Sequence, residues 1–209
     1  MAGASGLIGN ALVRSLTADG HEVRRLVRRA ARGPQEVCWD PEQEYVDAAG
    51  LAGCDAVVNL AGAGVGDRRW SEAYKKRIHD SRVLGTRALA RAVAALDERP
   101  RVLVNGSAMG IYGETGERIA DEDTAPGRGF LPELCVEWEA AAAPAEEAGG
   151  RTAFARPGLV VARQGGAWGR PVPPVKAGRG GRWGAGPGGG PGRRGARCRW
   201  GAGRAGGAR

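Results

Sequence analysis

Long apolar runs are missing from this 209-residue chain. No stretch approaches the ~20 consecutive apolar residues of a membrane helix, which excludes a protein built on such spans. The first residues, Met1-Ala2-Gly3-Ala4-Ser5, lack a basic region followed by an apolar core, so no secretory signal is expected. Cysteine is sparse: Cys38, Cys54, Cys135 and Cys198 stand at wide, irregular intervals that match neither a metal site nor a dense disulfide framework. His21 and His79 are too isolated to suggest a metal. No internal repeat is visible. A cytoplasmic protein is expected. What remains, 42% hydrophobic and 26% charged residues, is globular in composition and long enough for one α/β domain.

Acidic residues are absent from one segment altogether. Residues 165–209 hold nine Arg, one Lys and no Asp or Glu, a local charge of +10. The formal net charge of the chain is +8, so residues 1–164 carry −2. Seventeen of those last 45 residues are Gly, with no Leu, Ile, Phe or Tyr among them. Such a segment has little to bury and cannot offset the entropy of ordering its backbone. The chain is therefore expected to divide into a domain over 1–164 and a Gly/Arg-rich tail over 165–209. Gly, Arg, Ala, Pro, Trp and Cys are also what GC-rich DNA yields in a wrong reading frame, and residues after about Gly186 are expected to be such an end. The other reading is a nucleic-acid-binding arm. Its only motif is Arg179-Gly180-Gly181, and a nucleic-acid partner is not expected on so little.

Within 1–164 the pattern alternates. Residues 6–19 read as a helix ended by Gly20. Glu22 to Val27 reads as a strand, followed by the basic loop Arg28-Arg29-Ala30-Ala31-Arg32-Gly33-Pro34. Asp55 to Leu60 is a second strand. Ser71 to Leu96 is a long helical stretch with Ser71 as its N-cap. Arg101 to Asn105 is the next strand, Phe130 to Ala148 is helical, and Thr152 to Val161 holds one more strand. Strands alternating with helices imply a parallel sheet covered by helices.

Gly3-Ala4-Ser5-Gly6-Leu7-Ile8-Gly9 opens the first helix with the spacing of a dinucleotide-binding turn. The first Gly permits a tight turn, the second lets the backbone approach a pyrophosphate, and the third permits close helix packing. The N–H groups and dipole at the helix start then hold the anion. A buried strand should precede such a loop, and only Met1 and Ala2 do. The expected fold class is thus α/β, a Rossmann-like doubly wound parallel sheet with its first strand missing. With that strand missing, the strands beside it are expected to be left with unpaired backbone groups and the loop without its anchor. The chain by itself is therefore expected to fold poorly, to hold no dinucleotide and to be inactive.

On these residues the chain resembles the extended short-chain dehydrogenase/reductases, and more narrowly their atypical, sugar-nucleotide-epimerase-like members. The matching pieces include the glycine loop, Asp55-Ala56-Val57-Val58-Asn59-Leu60-Ala61-Gly62, Arg69-Trp70, Ser81-Arg82 and Gly106-Ser107-Ala108. They continue through Tyr112-Gly113, Asp121-Glu122, Trp138-Glu139 and Arg156-Pro157-Gly158. The resemblance implies a C-terminal substrate region that this sequence does not contain.

An acid at the end of the second strand of such folds accepts from the ribose 2′-hydroxyl, whereas an Arg suits a 2′-phosphate. Arg28 stands there with Arg29 beside it, which points to NADP(H); a merely solvated basic loop is the other reading. The resemblance further implies that Gly3, Ser5, Gly6, Leu7, Ile8 and Gly9 hold the pyrophosphate. By the same resemblance Leu60, Ala61 and Gly62 line the adenosine side and Arg82 reaches the cofactor.

The superfamily's usual Tyr–Lys pair, four residues apart on a helix, is absent. Tyr45, Tyr74 and Tyr112 are followed four residues on by Ala49, Ile78 and Gly116. The aligned slots fall near Leu131 and Cys135, and neither side chain can exchange a proton as that pair does. The resemblance puts Ser107, or Ala108 one residue on, in the place of the substrate-polarising Ser or Thr; the other reading of Ser107 is a strand-end Ser bonded to backbone. Tyr112 is the surviving acid/base candidate, or a packed Tyr. Three functions follow: an NADP(H)-dependent oxidoreductase or epimerase acting on an unknown small molecule, a non-catalytic nucleotide-binding sensor of the same fold, or a nucleic-acid binder working through the tail.

Overall fold

The computed structural model describes residues 1–162, 165 and 166. The boundary expected at 164 and the nature of the tail after Gly166 lie outside the described residues. Helix α1 (Leu7–Ala18) begins at the glycine loop and ends before Gly20, whose φ of +86° is the left-handed turn expected of a stop. Strand β1 (Arg25–Val27) is shorter than the sequence suggests, and β2 (Glu36–Asp40) was not evident. In β2, Val37 and Trp39 point into the core while Asp40 is exposed, a strict alternation hidden by the strand's shortness. Strand β3 (Tyr45–Val46) folds back on β2 as an antiparallel edge.

Strand β4 (Ala56–Asn59) is followed by the long helix α2 (Glu72–Ala94), whose cap Ser71 accepts from Tyr74 N at 3.2 Å as its position predicts. Strand β5 (Val102–Gly106) comes next. The helical stretch after Phe130 is two helices rather than one, α3 (Phe130–Ala140) and α4 (Ala143–Glu147). Pro144 accounts for the break, because it has no N–H for the carbonyl four residues back and its ring crowds that turn. Strand β6 (Thr152–Ala155) stops before Pro157, and the residues beyond it form a separate two-residue ladder, β7 (Val161–Ala162) with β8 (Gly165–Gly166).

β1 and β2 pair in parallel, as do β4, β5 and β6. Met1 and Ala2 lie between the two ladders. Ala2 N donates to Val58 O at 2.8 Å and Leu60 N to Ala2 O at 3.1 Å, while Leu26 N donates to Met1 O at 2.9 Å. The strand order is therefore that of a Rossmann-like α/β sheet, β2-β1-(Met1-Ala2)-β4-β5-β6. Met1 and Ala2 take the place between β1 and β4, so the backbone groups of those strands that face them are not left unpaired. Two residues suffice at this level of the sheet, because Ala2 is fully buried and bridges Asn59 in parallel register.

The main core gathers Leu26, Val37, Trp39, Val57, Leu89, Val93 and Leu103 with Ala142, the N-cap of α4, and Ala145 within it. A second cluster joins Tyr74, Ile78 and Val83 of α2 to Leu134 and Ala141. At its edge His79 links α2 to α3: its Nε2 lies 2.7 Å from Glu137 Oε2 and its Nδ1 lies 3.0 Å from Asp80 Oδ1. Burial alone would lower the imidazole pKa, but the hydrogen bonds to Glu137 and Asp80 outweigh it and raise the pKa above its ordinary 6.5. A raised folded-state pKa gives stability that is complete below the unfolded value and lost as pH rises through the folded one. Stability is thus expected to fall as pH increases above about 6.5, and His79→Gln to flatten that dependence in denaturant midpoints measured across the range. The effect is modest, since the pair is partly screened by solvent.

Candidate functional site

Two glycines of the loop are required by contact. Gly3 has φ +74°, and a Cβ there would lie 2.5 Å from the Leu60 carbonyl carbon and 2.8 Å from Ala61 N. A Cβ on Gly9 would overlap the Gly3 carbonyl oxygen and stand 2.9 Å from its carbon. The loop thus folds on itself and against the end of β4 at once. Gly6 caps α1 with no side-chain hydrogen bond, and the helix has no acid in its first turn. The first-turn N–H groups, which include those of Leu7, Ile8 and Gly9, have no helical partner by geometry, and such a helix start attracts an anion.

Above the loop lies a cleft of about 1270 Å³. Gly3, Ser5 and Gly6 form one wall, Arg28, Arg29 and Glu36 another, and Leu60, Ala61 and Gly62 a third. The structure brings these sequence-predicted residues together. Leu7, Ile8 and Gly9 do not line it: Gly9 is buried behind the loop, and Ile8 is 41% exposed on the outer side. Arg82 does not line it either. Its Nη1 donates to Ala63 O at 2.9 Å and Ile78 O at 3.0 Å, and its guanidinium lies 5.1 Å from the Trp138 ring centroid. A Cβ on Gly62 would sit 3.1 Å from Arg82 Cζ, so Arg82 props the cleft wall from behind. Burial there lowers its pKa.

The basic loop is organised rather than loose. Arg29 Nη1 and Nη2 each donate at 2.6 Å to one oxygen of Glu36, and Arg32 N donates to Glu36 Oε2 at 2.9 Å. The Arg29 hydrogen bonds, then the Arg32 backbone, hold the Glu36 carboxyl at about 2. Arg28 is exposed, faces the cleft, and makes no ion pair or hydrogen bond among the described residues. Two adjacent arginines that look alike in the sequence therefore differ in availability.

Ser107 and Tyr112 lie outside this cleft, past the end of β5, and are joined through two residues that sequence reasoning did not place in a site. Ser107 Oγ donates to Glu139 Oε1 at 2.5 Å. Arg156, after β6, grips both oxygens of Glu139 at 2.8 Å and donates from Nη1 to the Tyr112 hydroxyl at 3.0 Å. Burial would raise the Glu139 carboxyl, but Arg156 and Ser107 outweigh it and hold it ionised, while Glu139 raises Arg156. The Ser107 hydroxyl hydrogen is thus committed to a carboxylate and its lone pairs remain. The Tyr112 oxygen accepts from Arg156 and its hydrogen remains. Cys135, in the slot aligned with the missing lysine, is buried, and burial raises its thiol. The signal for Glu139 and Arg156 was present in the motifs Trp138-Glu139 and Arg156-Pro157-Gly158, but their pairing across 17 residues is visible only in the fold.

Residues 1–165 match the model of the NAD dependent epimerase/dehydratase family. An epimerase family protein of Mycobacterium bovis is 45% identical over 186 residues, covering 89% of this chain and 61% of that protein. Epimerase family protein SDR39U1 of Homo sapiens is 37% identical over 188 residues, covering 88% of this chain and 61% of its own length. The chain spans about three fifths of these curated relatives. A crystal structure of human SDR39U1 (isoform 2) with NADPH superposes with a TM-score of 0.74 at 35% identity, covering 86% of this chain and 60% of that one. A nucleoside-diphosphate sugar epimerase from Corynebacterium glutamicum gives 0.73 at 37% identity, covering 88% and 38%. With a match that runs from the first residue past the last parallel strand, the chain belongs to the NAD dependent epimerase/dehydratase family.

Proposed function

We propose that the chain is the nucleotide-binding part of an NADP(H)-dependent oxidoreductase or epimerase of the extended short-chain type. The carrying observation is the cleft, with an uncapped helix start and glycine loop on one wall and the unpaired Arg28 on another. The glycine cradle, which a Cβ would fill, fits a pyrophosphate, and Arg28 is the group for a 2′-phosphate. That a human relative was crystallised with NADPH supports this choice. When bound, the dinucleotide supplies hydride transfer. On the substrate side, Tyr112 would offer its hydroxyl hydrogen, its oxygen held by Arg156, and Ser107 would accept from a ligand hydroxyl. The substrate is proposed only as a small molecule with a carbonyl or hydroxyl group. No helix among the described residues is long and apolar enough to cross a membrane. A cytoplasmic location is proposed, supported by the sparse cysteines.

A second reading, a nucleotide-binding protein without catalysis, is favoured by one observation. Ser107 gives its hydrogen to Glu139 and so has none for polarising a carbonyl. Titration of the full chain tests the first proposal. NADPH is expected to bind more tightly than NADH, and Arg28→Asp to lose that preference, at a cost of about 1.5–3 kcal/mol for one charge-assisted contact. An unchanged preference in Arg28→Asp would reduce Arg28 to surface charge.

A further inference from the structure

Glu36 has a position that conflicts with NADP(H) unless something covers it. It is the first residue of β2, directly beside β1 with Arg25 opposite, and its carboxylate lines the same cleft as Arg28. A bare carboxylate in the cleft that Arg28 lines would repel a 2′-phosphate placed there. Here neither oxygen is bare. Oε1 accepts from Arg29 Nη2, and Oε2 accepts from Arg29 Nη1 and Arg32 N. Arg29 Nη1 is also held by Ala30 O at 2.9 Å, which fixes the guanidinium over the acid.

We propose that Glu36 is a masked acid and Arg29 its mask: Arg29 sets the preference for NADP(H) by neutralising Glu36, not by touching the phosphate, which belongs to Arg28. Arg29 is then a positioning and specificity residue acting through its partner. The inference rests on the reading of the cleft as a dinucleotide site. It adds that two opposite charges, silent as a pair, become specificity-determining when separated. Removal of the mask exposes an ionised carboxylate to the phosphate, while removal of the acid exposes nothing repulsive.

A double-mutant cycle read by NADPH and NADH dissociation constants on the full chain tests it. Arg29→Gln is expected to weaken NADPH at least about tenfold and to leave NADH unchanged or tighter. Glu36→Gln is expected to keep the NADPH preference within about threefold of the parent, or to strengthen it. The double variant Arg29→Gln/Glu36→Gln is expected to recover that preference to within about threefold. A double variant as weak for NADPH as Arg29→Gln alone would overturn the proposal, since Arg29 would then contact the phosphate directly. Loss of preference in Glu36→Gln would overturn it as well, by making the acid an organiser of the loop. If Arg29→Gln shows no cooperative thermal transition, Glu36→Gln and the double variant still decide. A parent chain that binds neither dinucleotide, or both equally, refutes the function proposed above and is distinguishable from every arm of the cycle.

Discussion

Gly9→Ala is expected to abolish dinucleotide binding and to destabilise the domain by several kcal/mol, on the scale at which overpacking and strain combine. The added methyl would overlap the Gly3 carbonyl oxygen and crowd Ala4 Cα at 3.0 Å. All of these are backbone atoms, so no side chain can swing aside. Gly3 cannot retreat, because its other side is packed on the Leu60 carbonyl. The pressure must separate α1 from the loop, which removes both the N–H donors of the helix start and the contact with β4. Calorimetry checks the stability and an NADPH titration checks the binding. A variant that keeps its transition temperature and affinity would show that α1 can slide.

Thr86→Val has the second largest expected effect, about 2–4 kcal/mol of stability with little effect on shape. The Thr86 hydroxyl is saturated: it accepts from Trp138 Nε1 at 2.9 Å and Asn59 Nδ2 at 3.0 Å, and donates to Asn105 Oδ1 at 3.0 Å. Asn59 Nδ2 also donates to Asn105 Oδ1 at 2.7 Å, and Asn105 Nδ2 to Gly106 O at 2.8 Å. Thr86, Asn59 and Asn105 are each at most 1% exposed. Valine keeps the volume and deletes the hydroxyl, leaving the Trp138 indole N–H and one Asn59 hydrogen buried without acceptors. Urea unfolding measures the loss, and a change below about 0.5 kcal/mol would mean that water takes the vacant place. Thr86→Ser, which restores the hydroxyl, should recover most of it.

What could be read in the sequence was local. The glycine loop announces itself because three positions within seven residues answer one steric problem, and Ser71 because a cap and its target are three residues apart. The alternation of strands and helices follows from hydrophobic period. β2 was missed because five residues, Glu36 to Asp40, are too few for period to stand out. The break at Pro144 was legible in principle, since a proline inside a helical pattern stops the turn before it. The site's deeper parts were not legible. Arg28 and Arg29 are equivalent as letters, and only the arrival of β2 beside β1 hands one of them to Glu36. Ser107, Tyr112, Glu139 and Arg156 come from four separate segments, and topology alone brings them to one end of the sheet.

The break between α3 and α4 also bears on entropy. It turns the run Ala140-Ala141-Ala142-Ala143 from the second cluster toward the main core, where Ala142 and Ala145 are 0% and 1% exposed and face the α2 layer that holds Leu89 and Ala90. Alanine has no rotamers to lose, whereas a buried Leu or Ile gives up about 0.5–1 kcal/mol of side-chain freedom. This corner of the helix layer therefore gains little from each residue and forfeits almost nothing. It is ordered by shape more than by hydrophobic area, and its contribution to folding resists temperature better than its modest size suggests, because the entropic opposition that grows with heat is small from the outset.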